Sequence, residues 1–210
     1  MLRSPLEQKV LLENISWQTY ERLLAEREER RKPRFFYEQG VLEIVSPSTE
    51  HEAVSRTVAL LVQLLTAELG IDLFSAGSTT FRREDLARGF EPDECFYFSD
   101  NARHARNVGD MDLSTNPPDL VVEIDVTSVS LDKLPTYARL GIPEVWRFAG
   151  GQAEILLLNA NGDYEASSTL TSRVLPSLTG EALKTLVEDG LRLNHPEWVQ
   201  RVRRRAHESQ

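Results

Sequence analysis

Glu123 and Asp125 stand two residues apart in the apolar run Asp119-Leu-Val-Val-Glu-Ile-Asp-Val126. Side chains alternate faces along a strand, so both carboxylates leave one side while Leu120, Val122, Ile124 and Val126 line the other. A row of acids on one strand face calls for a cation; an arginine on a neighbouring strand, or water, would also answer it. A second acidic run, Glu91-Pro-Asp-Glu-Cys-Phe-Tyr-Phe98, puts Asp93 at the entrance to another strand, with Phe96 and Phe98 on the opposite parity. Asp93 is therefore expected to aim away from that core, although an Asp after Pro92 also suits a plain turn. If these strands are neighbours, Asp93, Glu123 and the backbone carbonyl of Ile124 converge on one hard divalent cation. Mg²⁺ (or Mn²⁺) fits such a site, because it takes oxygen ligands, keeps several waters and needs only one or two carboxylates. Lys133, at the start of the next helix, is close enough to fold back over the strand end. There it could orient an attacking water and stabilise a phosphoryl transition state. The plainer reading is an exposed lysine.

Composition narrows the setting. A chain of 210 residues supports one sizeable core, which favours a single domain with decorated ends. Its divisions are expected at 1–15, an N-terminal extension, 16–190, the folded domain, and 191–210, a C-terminal helix with a basic tail. Apolar runs fall far short of the roughly 18 residues of a membrane span. The first ten residues have no signal-peptide pattern, so a cytoplasmic protein is expected. Cys95 is the only cysteine, which excludes an internal disulfide and a thiolate metal cluster within one chain. A net charge of −9 argues against a general nucleic-acid coat. Two basic stretches run against that balance, Arg27 to Arg34 and Arg201 to Arg205, and such runs are most often solvated faces.

The elements that must position these acids follow from periodicity. Ser16 suits the N-cap of a helix to about Glu29, and Arg34–Tyr37 with Val41–Val45 reads as a hairpin turning at Gln39-Gly40. Thr49 and Glu52 have capping-box spacing, and Val54, Val58, Leu61, Val62, Leu65 and Leu69 stripe the helix that runs to Gly70. Strands are expected at Ile71–Ser75, Ser78–Arg83 and Glu91–Phe98, with a loop over Glu84–Gly89, and the polar stretch Ser99–Pro118 reads as a long mobile loop. After the acidic strand come a helix at about Leu131–Leu140, a hairpin of Pro143–Phe148 and Ala153–Leu158, and a strand beyond Asn161-Gly162. Two closing helices are capped by Thr179 and Asn194. His51 is read as local structure within the helix start, with a lean toward the acids as the alternative. Glu52 is read as a cap.

Three segments carry a family resemblance: Phe90-Glu-Pro-Asp93, Pro118-Asp-Leu-Val-Val-Glu-Ile-Asp-Val-Thr-Ser128 and Lys133-Leu-Pro-Thr-Tyr-Ala-Arg-Leu-Gly-Ile-Pro-Glu-Val-Trp146. Together with Val41-Leu-Glu-Ile-Val-Ser-Pro-Ser48 and His51, they resemble the Uma-two family of restriction-endonuclease-like proteins, in order and spacing from about Ser16 to Leu158. The resemblance implies an α/β fold of the PD-(D/E)xK type, a mixed central β-sheet flanked by helices, with Mg²⁺-dependent endonuclease activity on DNA. It matches Asp93 and Glu123 to the two acids of the motif and Lys133 to a lysine of the family. Asp125 stands where the superfamily signature has lysine, as an accessory acid, and Gln39 stands where the family has an acid. The alternative expectation is therefore a catalytically silent member that binds nucleic acid or a protein partner. A homodimer is expected in either case.

Overall fold

The computed structural model describes residues 7–27, 32–107, 116–125, 131–166 and 171–208. Its first half runs β1 (Gln8–Leu12), α1 (Trp17–Glu26), β2 (Arg34–Glu38), β3 (Val41–Ser46), α2 (Thr49–Leu69), β4 (Leu73–Ser75), β5 (Phe81–Arg83), β6 (Arg88–Phe90) and β7 (Glu94–Phe98). The second half runs α3 (Ser99–Asn107), β8 (Leu120–Asp125), α4 (Leu134–Arg139), β9 (Glu144–Ala149), β10 (Gln152–Leu158), β11 (Tyr164–Ala166), α5 (Gly180–Arg192) and α6 (His195–His207).

Two sheets result. The six-stranded sheet has the order β11-β10-β9-β8-β7-β4, with β8 and β9 parallel and the other neighbours antiparallel. It is the mixed sheet expected from sequence, and α4 is the crossover that parallel pairing of β8 and β9 demands. The second sheet is antiparallel and five-stranded, in the order β1-β3-β2-β6-β5, and was not anticipated.

Burial explains the stacking. Leu120, Val122 and Ile124 of β8 join Phe96, Phe98, Trp146 and Ile155 under an apolar layer from α2, α5 and α6, including Val58, Leu61, Leu65, Leu183 and Trp198. Each such side chain contributes roughly 1.5–3 kcal/mol by leaving water. On the other face, Val121, Cys95, Val145 and Leu156 pack against Tyr137, Leu140 and Ile142 and against Phe36, Phe81 and Phe90 of the smaller sheet. Helix α1 closes the far side of that sheet, with Tyr20 stacked on Tyr37. Gly89 admits this approach, since a Cβ there would meet the Tyr20 hydroxyl at 2.2 Å.

The acidic face of β8 therefore does not look into solvent. It faces the seam between two sheets, and that corrects the simple inside-outside reading of its alternation. Other corrections follow from similar causes. Ser99–Asn107 is helix rather than loop; its buried contacts are two alanines, Ala102 and Ala105, which give little apolar signal. Residues 108–115 of that expected loop lie outside the described residues, as does 126–130 after the acidic strand. β6 begins within the expected Glu84–Gly89 loop. Residues 8–12, expected in an extension, form the edge strand β1, paired with β3 from Gln8↔Ser46 to Leu12↔Leu42. At the other end α6 buries Trp198, Val202 and Ala206. No helix among the described residues is long and apolar enough to cross a membrane.

Candidate functional site

β7 and β8 are antiparallel neighbours with Glu94 opposite Val122 and Cys95 opposite Val121. Continuing that register by one residue puts Asp93 beside Glu123, where the sequence argument needs it. Asp93 Oδ2 accepts the Ile124 N–H at 2.7 Å, so the aspartate is pinned to the very strand that carries its partner acid. The N–H and C=O of one strand residue point toward the same edge, which turns the Ile124 carbonyl to the β7 side as well.

Glu123 is held from the crossover. Its Oε2 accepts the Lys133 ammonium at 2.6 Å and its Oε1 accepts the Tyr137 hydroxyl. Lys133 occupies the N-cap of α4 and makes no side-chain cap bond. Helix starts favour Ser, Thr, Asp or Asn there, and the helix dipole disfavours a cation. A residue that breaks the local rule while serving a buried carboxylate marks a site. The segment leading into α4 is held from the opposite sheet, where Glu43 of β3 accepts the Leu131 N–H at 3.2 Å. Tyr137, read as packing, is thus also a ligand of the acid.

The smaller sheet supplies what the sequence reading missed. Arg34 opens β2 and is buried, with its guanidinium donating to Asp93 and, at 3.2 Å, to Glu52 of α2. It belonged to a basic run read as a solvated face; pairing in β2 turns it inward. His51 does lean toward the acids, with Nε2 at 2.8 Å from Asp93 Oδ1 and Nδ1 at 2.7 Å from Glu7. Its backbone N–H meets the hydroxyl of Ser48, which is the true N-cap of α2 in place of Thr49. Glu52 consequently serves Arg34 and Lys32 rather than a cap. Asp125 is half-buried at the end of β8, 3.4 Å from Lys9 of β1. The lean of His51 was the alternative reading, whereas Arg34, seventeen residues away on a different element, leaves no local signature that ties it to the acids.

These neighbours pull the two acids in opposite directions. Burial alone would raise the Asp93 carboxyl, but His51, Arg34 and Lys133 outweigh it and hold Asp93 below the usual carboxylate range. Burial, aided by the charge of Asp93, pushes Glu123 up against the opposing pull of Lys133 and Tyr137. Burial would lower Lys133, yet Glu123 and Asp93 keep it firmly charged. A cavity of ≈ 20 Å³ opens among Asp93, Glu123, Ile124, Lys133, Arg34 and His51. That is room for a water or a bare ion.

The chain matches the family Uma2, described as "Putative restriction endonuclease", over residues 17–188. It belongs to this family. Among solved structures, a "putative nuclease" from Anabaena variabilis is similar, at 13% sequence identity with a TM-score of 0.53. The match covers 82% of this chain and 99% of that one. At that identity the likeness concerns the fold alone. A comparison with curated proteins returned no match.

Proposed function

We propose that this Uma2 member is a Mg²⁺- or Mn²⁺-dependent endonuclease that hydrolyses DNA phosphodiester bonds. The observation that carries the reading is the convergence of Asp93 and Glu123 from neighbouring strands onto one small cavity, with Lys133 bound to Glu123 at 2.6 Å. The donor set supports a hard cation. Among the described residues no group of three or more His, Cys, Asp or Glu side chains is arranged for a metal, and the site offers two carboxylates, Asp93 and Glu123. Two carboxylates and a carbonyl do fit an ion that keeps most of its own waters.

Asp93, Glu123 and the Ile124 carbonyl would hold the cation, which when bound lowers the pKa of a water and polarises the phosphate. Asp93, kept ionised by its cationic neighbours, supplies permanent negative charge to the site. Lys133, preorganised by Glu123 and by the Glu43-anchored turn, offers an ammonium to charge building on the phosphoryl oxygens and costs no reorganisation. Tyr137 fixes the rotamer of Glu123. Asp125, at the site's edge with Lys9, acts as an accessory acid. A homodimer belongs to the proposal, since one site per chain cuts one strand of a duplex.

In a plasmid-nicking assay, Asp93→Asn and Glu123→Gln should abolish divalent-dependent cleavage while circular dichroism remains that of the wild type. Equal nicking by wild type and both variants removes the proposal. A specific observation keeps a second reading in view: Asp125 takes the motif's lysine position, and Arg34 and Lys133 already neutralise the acids. A silent binding module of this kind would give no saturable heat with Mg²⁺ or Mn²⁺ in titration calorimetry.

A further inference from the structure

Arg34 forms a wall between two spaces. On one side lies the small cavity with Asp93, Glu123 and Lys133; on the other lies a polar groove of ≈ 340 Å³ between α2 and the segment Ser75–Ser78. Lys32 and Arg56 are exposed at this groove and Ser55, Ser75 and Ser78 line it, together with Glu52, which pairs with Lys32 at 3.1 Å, and Glu94, which accepts the Ser55 hydroxyl at 2.9 Å. Arg34 and Asp93 are common to both spaces. Its guanidinium gives one terminal nitrogen to Asp93 and the other to Glu52, while Nε is buried with no hydrogen-bond partner among the described residues. A buried cation with an unused donor is a costly thing to keep.

We propose that Arg34 is the phosphate-binding residue of this site, and that it couples the binding of a DNA phosphodiester to the binding of the divalent cation; this rests on the function proposed above. The chemistry is competitive. Arg34 donates to Asp93 Oδ1, the same carboxylate that would hold the cation. Two positive groups on one carboxylate repel, so the cation binds Asp93 well only when the guanidinium turns to another anion. A phosphodiester in the adjoining groove is that anion. A guanidinium presents a planar fork of donors that matches phosphate oxygens two at a time. Turning also gives the idle Nε an acceptor, and Lys32 and Arg56 hold the neighbouring stretch of backbone. Arg34 thus leaves Asp93 as substrate arrives, and His51 keeps the aspartate oriented.

Because coupling is reciprocal, the cation must strengthen DNA binding by the same factor that DNA strengthens cation binding. Mn²⁺ is titrated calorimetrically into the full chain, alone and with a saturating short DNA duplex whose phosphorothioate linkages resist cleavage. The wild type should bind Mn²⁺ about tenfold more tightly with the duplex present, within the usual range of such couplings. Arg34→Gln should bind Mn²⁺ more tightly than the wild type when alone, bind the duplex more weakly, and lose the coupling. Arg34→Lys, which keeps the charge but not the fork, should fall between them and serves if Arg34→Gln does not fold. Unchanged coupling in these variants, or a wild type that binds Mn²⁺ with no response to DNA, overturns the role of Arg34 and leaves the cation site standing. A wild type with no saturable Mn²⁺ binding in either condition overturns the cation site and this coupling together.

Discussion

Glu91 and Asp93 flank Pro92, and both carboxylates are buried to the same degree, each residue 5% exposed. Their surroundings differ in kind. Glu91 takes both guanidinium nitrogens of Arg27, the Phe35 N–H at 2.8 Å and the Thr80 hydroxyl. Those donors, the two terminal nitrogens of Arg27 among them, tie the end of α1 to β2 and to the approach of β5, and one cation answers one acid. Asp93 instead shares Arg34 and His51 with other acids, touches the backbone of Ile124, and sits with Glu123 and Lys133 around a cavity. Burial and pairing are thus common to Glu91 and to Asp93, the acid proposed to work. What separates them is competition among several charges and the space left between them.

The sharpest test of that difference exchanges each acid for its amide. Asp93→Asn should take divalent-dependent nicking to background and, because it also breaks a buried pairing with Arg34 and His51, lower the urea midpoint as well. Glu91→Gln should share the loss of stability, about 3–5 kcal/mol from a broken buried pair, but keep its activity per folded molecule. If Glu91→Gln cost activity and spared stability, the distinction between the two acids would collapse.

A smaller effect concerns a third buried acid, remote from the site. Glu144 accepts the Trp146 indole N–H at 2.6 Å and the Arg173 N–H at 2.8 Å, and burial pushes its carboxyl above the ordinary value of 4.5 despite these donors and Ser172. The folded chain then holds this proton more tightly than the unfolded chain. Its contribution to stability is complete below pH 4.5 and is lost as pH rises through the folded value. Glu144→Gln, which copies the protonated shape, should flatten that decline in the urea midpoint. An unaltered slope would show that Glu144 titrates like a free carboxyl. The smallest change is expected at the surface: Arg203, bridged to Glu68 at 2.8 Å and half exposed, should yield within about 0.5 kcal/mol on replacement by Ala. Nicking should not respond, since the basic tail stays outside the comparison; a clear loss of nicking would bring it in.

How much of this was legible depended on the range of the interaction. The hairpin at Gln39-Gly40, the stripe of α2 and the strand-helix-strand order around α4 come from local patterns, and all are present; Gln39 and Gly40 both take the positive φ such a turn requires. The pairing of Asp93 with Glu123 was legible because each acid broke the apolar rhythm of its own strand. Arg34 and Glu7 were not, and His51 only as an alternative, since these roles depend on the second sheet, whose β1 and β6 are short and lack a strong alternation. Helix α3 escaped for want of large apolar residues, and Tyr137 looked like packing because its ring does pack, against Phe90. Only the hydroxyl, on Glu123, belongs to the site.

The central claim is that Asp93 and Glu123 together hold a hard cation. Anomalous scattering from crystals grown with the cleavage-resistant phosphorothioate duplex and soaked in Mn²⁺ measures it directly. A peak bound by both carboxylates, at about 2.0–2.2 Å as for octahedral oxygen sites of this kind, is the expected result. Mn²⁺ bound elsewhere on the molecule, with Arg34 and Lys133 still seated on these two acids and no peak between them, would contradict the account.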